Sequence, residues 1–476
     1  MKVIPIAPAP ATEEGDGQGL YASEKKIYPR AVTGLFARWR WGFVWLTQIV
    51  FYGLPWLQWN DRQAVLFDLA ARRFYIFGFV LYPQDFIYLT GLLVISALSL
   101  FLFTAVAGRL WCGFACPQTV YTEIFLWIER KVEGDRPQRI KLDKAEFSLE
   151  KLVKKTFKHF LWLLVAMWTG FTFVGYFTPI QVLGMEFLRT QMGSWEVFWT
   201  FFYAFATYGN AGFMREQVCK YMCPYARFQS AMFDKDTLIV SYDAERGEPR
   251  GTRGRKDDFK AKGLGACIDC DLCVQVCPTG IDIRKGLQYE CIGCAGCVDV
   301  CDTVMDKMNY PRGLIRFTTQ HALGTGASAG RDFILKRVLR PRVLVYGTIL
   351  LALTVAMMTS LALRTPLRVD VVRDRAALSR IVAGGKLENV YTLQVMNATE
   401  RTQRYRITAD GLDGLALSAD SESEVDVGPA ESRWVAVRVQ IPYGSAPPGS
   451  HPIHFDVRVV GGADHVREKS VFLVPR

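Results

Sequence analysis

Cys267-Ile268-Asp269-Cys270-Asp271-Leu272-Cys273-Val274-Gln275-Val276-Cys277-Pro278 is answered, from Cys291, by Cys291-Ile292-Gly293-Cys294-Ala295-Gly296-Cys297-Val298-Asp299-Val300-Cys301-Asp302. Both runs have the spacing C-x-x-C-x-x-C-x-x-x-C; the first closes on proline, the second on aspartate. In a loop of this kind three thiolates wrap one face of an iron–sulfur cube, and the fourth cysteine serves the other cube. Cys267, Cys270, Cys273 and Cys301 are therefore expected to hold one [4Fe–4S] cluster, and Cys291, Cys294, Cys297 and Cys277 the second. Structural zinc also uses C-x-x-C pairs, but as two pairs with a bend between them rather than two unbroken runs of four.

The other four of the twelve cysteines form Cys112/Cys116 and Cys219/Cys223, two copies of C-x-x-x-C-P, each closing a long apolar run. On a continuous helix, positions i and i+4 share a face, so each pair is expected to point one way, with the following proline loosening the helix end. A single pair would read as small apolar side chains packed in a bundle. Two matched pairs at equivalent places favour a joint metal-binding or dithiol site. Soft thiolates select Cu(I), zinc or iron–sulfur, and Cu(II) needs one electron to become the form that thiolates prefer.

A hydrophobic fraction of 50%, a mean hydropathy of +0.12 and 22% charged residues fit membrane spans carrying water-soluble modules. Five apolar runs, at about 41–59, 86–107, 160–178, 195–213 and 343–363, approach the roughly 20 residues needed to cross the hydrocarbon core. The net charge of +11 lies mostly beside these runs, which argues for a membrane surface and against nucleic acid. Six Lys/Arg fall in the first forty residues and eleven in 108–158, whereas 60–85 has only Arg62, Arg72 and Arg73, and 179–194 only Arg189. Arg331, Lys336, Arg337, Arg340 and Arg342 precede the last run. Basic segments stay in the cytoplasm, so the N-terminus is expected inside and everything after 364 outside. All twelve cysteines then fall on the reducing side or at the cytoplasmic ends of spans. The first thirty-five residues have no apolar stretch that would serve as a cleavable signal.

The expected organisation is that of a multi-domain membrane protein. A cytoplasmic tail (1–35) leads into a four-span domain (36–224) with both C-x-x-x-C-P motifs, a weak internal repeat of two spans plus one motif. A linker (225–263), a bacterial-type 2[4Fe–4S] ferredoxin module (264–312) and a second linker (313–342) follow in the cytoplasm. A fifth transmembrane helix (343–363) completes the α-helical bundle and delivers residues 364–476 to the periplasm. There the apolar residues alternate: Tyr391, Leu393, Val395; Val435, Val437, Val439, Ile441; Ile453, Phe455, Val457, Val459. Period two with turns at Gly428-Pro429 and Pro447-Pro448-Gly449 predicts an immunoglobulin-like β-sandwich.

The five histidines, at 159, 321, 451, 454 and 465, include no pair facing across two spans, and there is no C-x-x-C-H, so haem is not expected. His159 reads as an interfacial anchor, Gly324-Thr325-Gly326 as linker, and Asn397-Ala398-Thr399 as a turn.

The order of these parts resembles the CcoG family (also called FixG or Rdx), accessory proteins of cbb3-type cytochrome c oxidase. The resemblance runs over nearly the whole chain. It rests on Ile27-Tyr28-Pro29-Arg30, Trp111-Cys112-Gly113-Phe114-Ala115-Cys116-Pro117-Gln118, Cys219-Lys220-Tyr221-Met222-Cys223-Pro224-Tyr225-Ala226-Arg227-Phe228-Gln229, the double ferredoxin module and the β-sandwich tail. It implies an oxidoreductase of the bacterial inner membrane that reduces Cu(II) as its substrate, with Cys112, Cys116, Cys219 and Cys223 as the catalytic, copper-binding residues. Cu(I) would pass to an exporting P-type ATPase or a copper chaperone, and on to the oxidase assembly machinery. No flavin or nicotinamide site is visible, so the donor is a cytoplasmic protein or a quinol. Two other readings compete: a quinol-linked electron-transfer subunit of the NapH or NosR type, which the β-sandwich tail argues against, and a non-enzymatic assembly scaffold.

Overall fold

Residues 26–255, 257–258, 261–325, 339–374 and 379–475 are described by the computed structural model. Most of the expected N-terminal tail, the linker beyond Thr325 with Gly326, and the basic residues Arg331, Lys336 and Arg337 lie outside them. The chain forms two compact units, Met1–Leu57 with Thr90–Thr354, and Gln58–Leu89 with Val355–Arg476.

In the first unit the apolar runs become helices. Among the described residues three helices are long and apolar enough to cross a membrane: Pro83–Ala107, Leu149–Val174 and Pro341–Ala362. The other two expected spans fall short of that standard. Leu35–Gly53 carries Arg38 and Arg40 in its first turns and is ended by the turn at Pro55. Ser194–Tyr208 has 15 residues and passes into a π-helical turn at Gly209–Met214. Phe86–Ala107 buries only Thr104 and Ala105. An apolar helix left uncovered nearly all round suits lipid rather than water.

Leu149–Val174 starts at Ser148, whose hydroxyl accepts from Lys151 N at 3.2 Å, and its polar first turns give way to an apolar body. Gly170 lets it approach Ser194–Tyr208 closely, since a Cβ there would collide with the Thr200 carbonyl. Trp162 stacks on Phe125 of the Pro117–Glu133 helix at 5.1 Å and donates to the Phe125 carbonyl at 3.1 Å. Beside it lies a buried ionic cluster: Glu129 meets Arg139 at 3.0 Å and Arg215 at 3.2 Å, while Glu133 meets Lys158 at 2.9 Å.

The part of the tail that is described is ordered by specific partners. Tyr28 donates to Asp143 at 2.6 Å, and Arg30 N donates to Gln275 O at 2.8 Å. Residues read as linker likewise build the cysteine-rich module. Ile239–Tyr242 pairs antiparallel with Ile315–Thr318, and Val240, Tyr242 and Ile315 enter the module's core with Met305 and Leu314. Two strands of four residues, far apart in sequence, give too short a pattern to stand out from a loop.

The second unit is a β-sandwich. One sheet pairs Lys386–Asn397 with Ser432–Pro442 and Leu367–Arg373; the other pairs Gln403–Asp410 with Glu424–Val427 and Gly449–Val459, which in turn pairs with His465–Val474. The alternating residues face inward as expected: Tyr391, Leu393, Val395, Val437, Val439, Ile453, Phe455 and Val457 are all fully buried. Asn397 is also buried. Its amide donates to Arg401 O at 2.7 Å and Gly428 O at 2.9 Å, and its Oδ1 accepts from Thr399 N at 2.9 Å, so the Asn-Ala-Thr stretch is a structural turn. The loop after Leu57 is not irregular. Val65–Asp68, Arg73–Ile76 and Phe79–Leu81 form a three-stranded sheet whose Leu66, Tyr75 and Val80 pack with Tyr82, Met396 and Ala430. Buried Asp85 binds Arg364 at 2.5 Å and Arg368 at 3.2 Å.

Candidate electron-transfer site

The two cysteine loops repeat one backbone course. Asp269 and Asp271 adopt positive φ of 53° and 54°, and Gly293 and Ala295, at the equivalent places, 68° and 56°. Alternation of this kind turns successive N–H groups inward into a cradle for anionic sulfur. A helix follows each loop. Leu272–Gln275 is cut short ahead of Pro278, whereas Gly296–Met308 runs on through Cys301 because Asp302 stands where the first run has proline.

The fourth cysteines cross over. Cys267, Cys270, Cys273 and Cys301 line one cavity with Tyr242 and Arg284, and Cys277 is not part of it. Burial pushes the Cys301 thiol up to about 12, with Cys273, Cys267 and Cys270 adding to the effect. Cys297 is pushed well up by burial and by Cys294, Cys291 and Cys277. Crowded, buried thiols stay protonated until a cation takes them as ligands, and binding then releases their protons. Donor set, crossing and cradle thus fit two iron–sulfur clusters. Among the described residues no three His, Cys, Asp or Glu side chains converge on a point where a single metal ion would sit.

The C-x-x-x-C-P motifs do not lie on continuous helices, contrary to expectation. Cys112 sits in the short helix Leu110–Phe114, and Cys116 is extended (ψ 129°) as the N-cap of Pro117–Glu133. Cys219 sits in the π-helical turn Val218–Met222, and Cys223 is extended (ψ 109°) as the N-cap of Pro224–Met232. Proline forces the residue before it out of the helical region and then suits the first position of a new helix. The sequence repeat is therefore a repeat of a helix break. The four thiols lie near enough to act on one another's charge, though among the described residues they do not converge on a point where one metal ion would sit: burial, then Cys116, Cys112 and Cys223, pushes Cys219 up to about 12, and burial and Cys116 push Cys112 up to about 11.

Side chains without any motif join the two cysteine groups. Gly113 lies directly on the second cluster loop; a Cβ there would stand 2.7 Å from Cys294 Cα and 2.8 Å from its nitrogen. Arg109, buried, donates to the carbonyls of Tyr289, Ala226 and, at 3.5 Å, Cys291. Burial pulls its pKa down while Cys112, Cys291, Cys219 and Cys223 pull it up, which places one guanidinium among thiols of both groups. Cys112 Sγ donates to Gln229 Oε1 at 3.3 Å, and Gln118 donates to Asn210 O at 2.9 Å and Arg215 O at 3.1 Å, tying the first motif to the approach of the second. At the other flank the Asp299 carboxylate caps the Leu35–Gly53 helix through the N–H groups of Phe36 and Ala37, at 3.1 and 2.7 Å. No spacing rule announces an arginine, a glycine or a glutamine in these roles.

Three family models match separate stretches of the chain. Residues 214–320 match the family model of a 4Fe–4S dicluster domain, 89–133 that of a 4Fe–4S binding domain, and 357–475 that of the Ig-like fold at the C-terminus of FixG. Protein RdxA of Cereibacter sphaeroides is 38% identical over 443 residues, covering 91% of this chain and 92% of that protein. The nitrogen fixation protein FixG of Rhizobium meliloti is 36% identical over 436 residues, covering 86% and 83%. This chain belongs to the FixG/Rdx family. As a FixG/Rdx protein it is a 4Fe–4S electron-transfer protein of the membrane, with an Ig-like C-terminal domain. RdxB of the same Cereibacter sphaeroides, at 38% identity over 448 residues, covers 92% of this chain and 93% of its own length.

Proposed function

We propose that Cys112, Cys116, Cys219 and Cys223 form a copper-facing site at which Cu(II) takes up one electron and leaves as Cu(I), for assembly of a cbb3-type oxidase. The observation that carries this is the direct packing of Gly113, between the first two of these cysteines, on the Cys294 backbone. Clusters held by Cys267, Cys270, Cys273 and Cys301, and by Cys291, Cys294, Cys297 and Cys277, would supply one-electron carriers. Arg109 holds the second loop against both C-x-x-x-C-P breaks and sets a positive charge between the thiol groups. Four soft sulfurs favour Cu(I) over Cu(II), so electron uptake and tight thiolate binding reinforce each other. The N-terminus and the cysteine-rich module lie in the cytoplasm and the sandwich in the periplasm, a reading supported by the basic segments beside the apolar runs. A copper exporter or chaperone then receives the Cu(I).

The test is Cu(II) reduction by chemically reduced protein, followed with a Cu(I)-specific chelator. Changing Cys112 and Cys116 to Ser removes the soft ligands while nearly keeping shape. It is expected to abolish reduction and leave the iron content unchanged; reduction at the wild-type rate would move the site elsewhere. A second reading is favoured by the 4Fe–4S binding match over 89–133, which contains Cys112 and Cys116. In it these four thiols hold a further cluster. Anaerobic iron analysis separates the two, with about eight iron per chain for two four-iron sites and about twelve for three.

A further inference from the structure

A cleft of about 630 Å³ opens between the helices Leu35–Gly53, Pro117–Glu133 and Leu149–Val174. Flat aromatic side chains form much of its wall, namely Trp41, Trp45, Trp127 and Trp168. Trp45, Trp127 and Trp168 are themselves exposed, so the cleft opens on the apolar outer face of these helices. One end is polar. Tyr52 and Thr169 hydroxyls share a hydrogen bond of 2.9 Å, and Tyr121 lies within hydrogen-bonding reach of Tyr52, Thr169 and Gln48. Gln48 meets Tyr121 as a donor, through its amide nitrogen, and its buried Oε1 atom accepts no hydrogen bond.

From these observations we propose that the cleft binds the ring of a membrane quinol, the electron donor to this chain. The proposal deepens the electron-transfer reading above and rests on it for the acceptor. A buried acceptor without a donor is costly, and an acyl chain offers Gln48 nothing. A quinol hydroxyl donates to it, while the ring fits between indole faces and the isoprenoid tail leaves along the exposed tryptophans. The position of the cleft is the second argument. Gln48, Val44 and Arg40 stand four residues apart on one face of the Leu35–Gly53 helix, and Arg40 lies within hydrogen-bonding reach of the Cys294 thiol. Eight residues of helix span about 12 Å, so the polar end of the cleft is two turns from a second-loop cysteine. Oxidation of the bound quinol to quinone yields two electrons, for the chain's iron–sulfur groups, and two protons, which pass to water.

Binding is measured without copper, so that failure here and failure of the copper reading are separate results. Full-length protein is placed in quinone-free phosphatidylcholine nanodiscs and titrated with a radiolabelled ten-carbon-tailed benzoquinone, oxidised or reduced. One saturable site per chain is expected, weakened about tenfold by Leu164→Trp, which fills the cleft from its exposed wall. Gln48→Leu should weaken the quinol about fivefold. A photoreactive azido-quinone should label peptides containing residues 41–52 or 121–127. Iron content and helical circular dichroism check that each variant is folded. Non-saturable uptake identical in wild type and both variants, equal competition by an alkylbenzene lacking ring oxygens, or labelling confined to other peptides would each overturn the proposal.

Discussion

Gly113 and Arg109 show how much of this site is set by single residues that carry no chemistry of their own. The glycine is there because the backbone of Cys294 passes where a side chain would be. Gly113→Val must therefore push the second cysteine loop away. The expected result is iron falling from about eight to about four per chain, with the signals of one cluster kept in electron paramagnetic resonance of the reduced protein. Unchanged iron would mean that the contact is not needed to hold the loop. The two cysteine runs were legible as loops of one repeated course, because thiolate spacing is dictated by the geometry of what such loops bind. Arg109 was not, since its role depends on which carbonyls the fold brings to it, those of Tyr289, Ala226 and Cys291.

Helices in this chain are ended and restarted by proline, and that shapes the site at the scale of elements. Sequence reasoning placed Cys112 and Cys116 on one helix face; Pro117 instead breaks the helix and makes Cys116 the cap of the next. Periodicity alone misses such a break because the spacing of four survives it. The Pro117–Glu133 helix then carries Glu129 into the buried ionic cluster. Burial alone would raise the Glu129 pKa, but Arg215, Arg139 and Lys158 outweigh it and hold the carboxyl below its ordinary value of 4.5. A group with a lowered folded-state pKa stabilises the fold above its unfolded value and loses that contribution as pH falls through the folded one. Glu129→Gln is expected to cost about 3–5 kcal/mol at pH 7, since buried cations are left uncompensated. Thermal unfolding in detergent should show the gap between wild type and variant narrowing progressively below about pH 4.5. A gap independent of pH would mean that Glu129 acts through packing alone.

At the scale of the molecule, the loop between the first two apolar helices joins the C-terminal sandwich in one body, through Tyr82, Asp85, Met396 and Arg364. Segments so packed must share one side of any membrane. An enzyme reporter that works only in the cytoplasm is expected to be silent when fused after Arg476 and active when fused after Met232. Activity at Arg476 would reverse the topology. The two helices that fall short of the length and apolarity of a span, Leu35–Gly53 and Ser194–Tyr208, are also those whose faces build the cleft and the π-helical approach to Cys219.

By itself the sequence determined the two cysteine loops and their crossing, the alternation that builds the sandwich, and the apolar runs. Each follows from a short-range rule, namely ligand spacing, a side-chain period of two, or an unbroken stretch of apolar residues. Tertiary structure alone decided that residues on both sides of 264–312 complete the ferredoxin module, that Tyr28 and Arg30 anchor the N-terminal segment, and that the first C-x-x-x-C-P break meets the second cluster loop directly while Arg109 links the second to it. Those outcomes depend on contacts between residues far apart in the chain, such as Val240 with Phe317, Arg30 with Gln275 and Gly113 with Cys294. Such pairings are selected by packing and by the need to satisfy buried polar groups, and neither leaves a period in the sequence to be read.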